Sequence, residues 1–172
     1  MEKIKAQLVS GKVSSNSAQA QNLFASQRFG EKIGEKIFYL LPEALFLVKT
    51  KKMEIHSKDK PLSEEDIAKK FEKLDKKFMT KYLVFKDLRE KGYILKSALK
   101  FGAEFRVYEK GKTIGKDHAR WLVQTASETD KLGMHEFSAK NRVAHTTKKT
   151  LLMAIVDEEG AVSYYEISWL KP

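Results

Sequence analysis

Five short stretches in the second half of the chain are rich in β-branched and aromatic residues: YILKSALK (93–100), AEFRVYEK (103–110), ARWLVQTA (119–126), TLLMAIVD (150–157) and AVSYYEIS (161–168). Glycine or charged turns separate them, which is the pattern of strands. A helical segment at roughly 134–149 interrupts the series, so this half reads as an α/β domain with strands around one or two helices.

The first half is less regular. Residues 4–26 mix short apolar runs with Gly and Ser and predict two or three short strands joined by turns. Pro42, tolerated in a first helical turn, precedes Ala44, Leu45, Leu47 and Val48, predicting a short buried helix over about 42–50 and a strand near 52–56. Ser63, with acids behind it, is placed to cap a helix by accepting from the amide of Asp66. Ile67, Phe71, Leu74, Phe78 and Phe85 follow at helical spacing, and Gly92 stands just past the end at Glu90. The pattern therefore predicts one helix of ~40 Å at 1.5 Å per residue, joining a small N-terminal α/β domain (1–84) to a C-terminal domain (85–172).

Composition narrows the class. With 172 residues, 42% hydrophobic and 33% charged, the chain is neither disordered nor membranous by composition. No apolar run approaches the ~20 residues of a membrane span, and MEKIKAQLVSGK lacks the apolar core of a secretory signal, so a cytoplasmic protein is expected. Absence of cysteine removes disulfides and thiolate metal sites. The formal net charge of +10 favours polyanionic partners without specifying one.

Familiar motifs are absent. GKTIGKD (111–117) has three residues between its glycines where a phosphate-binding P-loop has four, and Asp117 stands where magnesium needs Ser or Thr. GEKIGEK (30–36) lacks a dinucleotide fingerprint. His56, His118, His135 and His145 include no pair at metal-ligand spacing, so neither a metal nor another cofactor is expected. Tyr108, His118 and Lys149 remain as residues of reactive type. By spacing alone the plainer readings are favoured: Tyr108 as a strand aromatic, His118 as a loop residue and Lys149 as a cation near a helix C-terminus.

The stretches KYLVFKDLREKGYILKSALKFGAEFRVYEKG (81–111), KDHARWLV (116–123) and RVAHTTKKTLLMAIVDEEGAVSYYEI (142–167) resemble, in order, the archaeal tRNA-splicing endonuclease family. LLPEALFLV and KPLSEEDI resemble its N-terminal half more loosely. The resemblance implies a small α/β domain followed by a nuclease-like mixed sheet flanked by helices. It also implies metal-independent cleavage of precursor tRNA at a bulge–helix–bulge, leaving a 2′,3′-cyclic phosphate and a 5′-hydroxyl.

By the same resemblance the family's catalytic tyrosine, histidine and lysine fall on Tyr108, His118 and Lys149. These types suit the chemistry: a base at the 2′-hydroxyl, an acid at the departing 5′-oxygen and a cation at the phosphorane oxygens. An imidazole, titrating near ~6.5 in water, suits the acid; a phenol, near ~10, needs a neighbouring cation to serve as base. Arg142 is implied as a clamp stacking on a bulged base, with Tyr164 or Trp169 as guesses for a second aromatic clamp. Lys149 closes the predicted helix and shares a face with Arg142 seven positions earlier, whereas Lys148 is turned away by ~100° and no family role falls on His145.

DEEG (157–160) reads from the residues as a hairpin turn with Gly160 at positive φ. The resemblance implies that Asp157, Glu158 and Glu159 dock into a basic cleft of another subunit, in a homotetramer or as catalytic partner in a two-plus-two heterotetramer. The competing reading is a basic, non-catalytic RNA-binding or assembly subunit.

Overall fold

In the computed structural model, which describes residues 2–172, the chain forms two compact units, Met1–Tyr82 and Leu83–Pro172. The fold is mixed α/β in both.

The first unit is built on a sheet of six strands. Ser10 and Gly11 both adopt left-handed angles, φ 50° and 75°, so β1 (Ile4–Val9) and β2 (Lys12–Ser15) close on a two-residue turn that matches strand twist. Helix α1 (Ala18–Gln27) follows, its start fixed by Ser17, whose hydroxyl accepts from the Ala20 amide at 3.2 Å. The sequence reading placed strand and turn here, and α1 corrects it. Its apolar residues are too few to mark a helical face, so the serine cap is the main local signal.

After the hairpin of β3 (Glu31–Ile33) and β4 (Lys36–Tyr39) comes α2 (Leu41–Lys49), buried from Pro42 to Val48. The Glu43 carboxylate accepts from the Leu40 amide at 3.2 Å and from Gly30 at 2.7 Å, which ties the helix start to the hairpin. Strands β5 (Met53–Ser57) and β6 (Lys60–Pro61) complete the order β3-β4-β2-β1-β5-β6, with β1 and β5 parallel. Ile4, Ile37, Leu45, Leu47 and Ile55 form its core with Ile67, Phe71 and Phe78.

The long helix predicted over 63–90 is two helices, α3 (Glu64–Leu74) and α4 (Phe78–Glu90). Asp75 makes the break. Its backbone is extended at φ −143°, its Oδ1 accepts from the Lys77 amide at 2.9 Å, and its carbonyl accepts from Phe78 at 2.9 Å. Phe71 and Phe78 remain buried on either side, so the apolar spacing survives the interruption, while Leu74 is left 53% exposed.

The second unit carries all five strands expected from the sequence. They are β7 (Ile94–Ser97), β8 (Phe105–Tyr108), β9 (Trp121–Ser127), β10 (Thr150–Val156) and β11 (Val162–Ile167), in the order β11-β10-β9-β8-β7. Only β9 and β10 are parallel, because α5 (Met134–Thr146) carries the chain from the end of one back to the start of the next. Alternation divides the sheet. Leu122, Leu151 and Met153 pack with Ala144 of α5 on one face, and Phe105 meets Phe85 of α4 on the other. No helix among the described residues is long and apolar enough to cross a membrane.

Candidate active site

Tyr108 is the last residue of β8 and is 5% exposed. Strand alternation puts its side chain on the face of Arg106 and Leu122, the face covered by α5.

From Tyr108 the chain makes a loop that its own side chains brace. The amides of Lys116 and Asp117 donate to the Thr113 carbonyl at 3.2 and 2.8 Å, and the Asp117 carboxylate accepts from the Thr113 amide at 2.7 Å. Asp117, which disqualified GKTIGKD as a P-loop, is thus a structural clasp. His118 follows it, exposed, and buried Ala119 anchors the return. Arg120 re-enters the sheet by donating its amide to Val107 at 2.9 Å. His118 is therefore held two residues from a backbone bond to the neighbour of Tyr108.

Lys149 does not close a helix, contrary to the sequence reading. Helix α5 stops at Thr146, where the Thr147 hydroxyl accepts nothing from the helix but donates to the Val143 carbonyl at 2.8 Å. Lys148 then takes left-handed angles at φ 57°, and the Lys149 amide donates to the Ala144 carbonyl at 2.8 Å. The shared helical face of Arg142 and Lys149 consequently fails. What orients Lys149 is the sheet: Thr150 donates to the Arg120 carbonyl at 2.9 Å and pairs with Trp121, which pairs with Val107. One residue forward along β8, and one back along β9 and β10, Tyr108, Arg120 and Lys149 lie in one row. Two strand spacings, about 10 Å, separate the backbones of Tyr108 and Lys149.

The Lys149 ammonium donates to the Thr147 carbonyl at 3.0 Å and lies 5.1 Å from the centre of the Phe101 ring. Burial pushes its pKa below the ordinary lysine value, and the nearby charges of Arg106 and Lys100 push it further the same way. These neighbours were not singled out from the sequence. For Arg106 the signal was present, since it stands two residues before Tyr108 on an alternating strand.

Arg142 is exposed on α5. Tyr164 points elsewhere: its hydroxyl donates to Asp87 on α4 at 2.6 Å, and burial followed by that carboxylate raises its pKa. Trp169 lies beyond β11, 56% exposed, its ring 4.6 Å from that of His145. His145 and Arg142 are one turn apart on α5.

Asp157–Gly160 form the β10–β11 turn, with Gly160 at φ 83°. Asp157 is committed to it, its Oδ1 accepting from the amides of Glu159 and Ala161, both at 2.9 Å. Glu158 and Glu159 project from the turn, exposed. Among the described residues no three His, Cys, Asp or Glu side chains are grouped to hold a metal ion.

Two family models match the chain in order. The tRNA intron endonuclease N-terminal domain matches residues 4–68, and the tRNA intron endonuclease catalytic C-terminal domain matches residues 78–164. A tRNA-splicing endonuclease of Pyrococcus abyssi is 44% identical over 149 residues, covering 87% of this chain and 85% of its own. That of Nanoarchaeum equitans is 41% identical over 138 residues, covering 77% and 88%. That of Methanothermobacter thermautotrophicus is 36% identical over 153 residues, covering 89% of each. Tyr108, His118, Arg142, Lys149 and the acidic turn all lie within the stretch matched by the catalytic domain. With both domains matched in order and this identity sustained over most of each relative's length, the chain belongs to the tRNA intron endonuclease family.

Proposed function

We propose that this protein is an endoribonuclease that removes introns from precursor tRNA at bulge–helix–bulge sites without a metal ion. The observation that carries the reading is the gathering of Tyr108, His118 and Lys149 at one end of one sheet, within a chain of this family.

Tyr108 takes the proton of the 2′-hydroxyl, and the 2′-oxygen attacks the adjacent phosphorus. Negative charge builds on the non-bridging oxygens, where the Lys149 ammonium meets it. His118 gives a proton to the 5′-oxygen as its bond to phosphorus breaks, leaving a 2′,3′-cyclic phosphate and a 5′-hydroxyl. The setting of Lys149 supports its role. Burial and neighbouring cations disfavour its charged form in the free protein, and a phosphate relieves that strain when it arrives.

Arg142 stacks on a bulged base, a use for which an exposed guanidinium on a helix is suited. Glu158 and Glu159 dock into a basic cleft of another subunit, giving a homotetramer or a two-plus-two heterotetramer. Incubation of the pure protein with a bulge–helix–bulge RNA in excess chelator tests the reading. Cyclic-phosphate ends are expected, and binding without cleavage would favour a non-catalytic RNA-binding subunit.

A further inference from the structure

Lys149 is one member of a group of cations on the α5 face of the second unit's sheet. Its ammonium and that of Lys100 lie 5.1 and 4.9 Å from the centre of the same ring, Phe101. Arg106 stands opposite Leu122, against whose cluster Phe101 packs, and after burial its charge is the largest influence lowering the pKa of Lys149. Lys96, 8% exposed, stands directly opposite Arg106 across the β7–β8 pair and so shares its face.

None of Lys100, Arg106 and Lys149 has an ion-pair partner among the described residues. Glu104, two residues before Arg106, accepts from the Gln124 side chain at 3.0 Å and the Thr125 amide at 3.1 Å. The Nε of Arg106 is buried with no hydrogen-bond partner. Like charges repel, and a buried guanidinium nitrogen without an acceptor is costly. A group with both features is arranged for an anion that arrives from outside.

We infer that Lys100 and Arg106 form a second phosphate subsite beside Lys149, holding an RNA phosphodiester next to the one that is cleaved. The inference rests on the proposed reaction for the identity of the strand, and on the geometry of the cluster for the anion. Phosphodiester fits better than a carboxylate ligand because Lys149 belongs both to the cluster and to the row of Tyr108. Arg106 offers a planar fork and Lys100 a mobile point charge, a pair suited to one tetrahedral group. Both act as positioning residues, setting where the strand lies relative to Tyr108.

The test uses the full chain carrying Tyr108→Phe, so that RNA stays intact, and measures binding against salt for a bulge–helix–bulge RNA and a single-stranded RNA. Each phosphate contact contributes about 0.7–0.9 to the slope of log K against log salt. Adding Lys100→Gln with Arg106→Gln removes the neutralisation of that one phosphodiester, and should flatten the slope by roughly 0.7–0.9 and weaken binding by about five- to eightfold near 0.1 M salt. Arg106→Lys should restore most of the slope, which repair of a merely structural defect would not do. Lys100 is exposed, so Lys100→Gln alone gives a folded variant in which about half the slope change is expected.

An unchanged slope in that variant and in the double variant overturns the subsite. If the slope falls as expected but the unsubstituted chain does not cleave, the subsite stands and the proposed reaction falls. If the unsubstituted chain cleaves and the slope is unchanged, the reaction stands and the subsite falls. Binding to neither RNA overturns both.

Discussion

The amide of Lys149 donates to the carbonyl of Ala144 at 2.8 Å, closing the end of α5 and starting the approach to β10. This bond takes Lys149 out of the helix and delivers it to the sheet row of Tyr108. The lysine is therefore placed by a helix stop and a strand register together.

Removal of the Lys149 charge is expected to lower cleavage by about 10²–10³-fold, the usual cost of losing one group that stabilises transition-state charge. The same change should raise stability. A lysine whose folded pKa is below its ordinary value burdens the folded state at pH below that folded value, and the burden is relieved as pH rises towards 10.5. Lys149→Met, which keeps the stem over Phe101, should thus raise Tm at neutral pH while abolishing most activity. A lowered Tm in thermal unfolding contradicts this.

For the wild-type enzyme the two consequences of pH run in opposite directions. Cleavage by the ammonium form should decline on the alkaline side at lower pH than an ordinary lysine would require, as the charge is lost through the depressed pKa. A single-turnover pH profile on bulge–helix–bulge RNA reads this directly, and Lys149→Arg should carry any remaining activity to higher pH.

Asp75 ends α3 and begins α4, and Asp75→Ala removes the acceptor of the Lys77 amide and the 2.6 Å partner of Lys81. A cost of about 1–2 kcal/mol is expected from denaturant unfolding, as for other capping acids. Burial opposes ionisation of Asp75, but the Lys81 side chain and the Lys77 amide outweigh it, so its pKa is lowered. The contribution is then complete above the unfolded value and is lost as pH falls through the folded one. The difference from wild type should vanish in acid.

The sequence made some of this legible and hid the rest for physical reasons. All five strands of the second unit were readable because each is a short aromatic or β-branched run ended by a turn. The α3–α4 break was not, because Phe71 and Phe78 stay two turns apart in spacing whether or not Asp75 interrupts the backbone. Lys149 was misplaced on α5 for a related reason: TTKK carries no glycine, and it is Lys148 that supplies the left-handed residue. The proximity of Tyr108, His118 and Lys149 depends on the parallel β9–β10 pairing, which no local pattern encodes. Family resemblance pointed to them, and periodicity did not.

The hydroxyl of Tyr164 donates to Asp87 at 2.6 Å, which ties this side chain to α4. Tyr164→Phe should cost about 1.5–3 kcal/mol of stability, as for hydrogen bonds to charged groups. RNA affinity should be unchanged, and a large loss of binding in a folded variant would return Tyr164 to the RNA interface.

In the acidic turn, Asp157 holds the backbone while Glu158 and Glu159 are exposed, so the two kinds of residue are separable. Glu158→Lys with Glu159→Lys should leave the fold intact and reduce the mass seen by light scattering. An unchanged mass contradicts a docking role for the turn.

The most direct test of the proposed reaction compares RNA binding with single-turnover cleavage for Tyr108→Phe, His118→Ala and Lys149→Ala, each in the full chain. Cleavage should fall by about 10²-fold or more in every case, while Kd stays within roughly threefold of wild type for Tyr108→Phe and His118→Ala and rises no more than about tenfold for Lys149→Ala. Loss of binding in step with cleavage, in proteins that remain folded, would contradict the assignment of these residues to the chemistry.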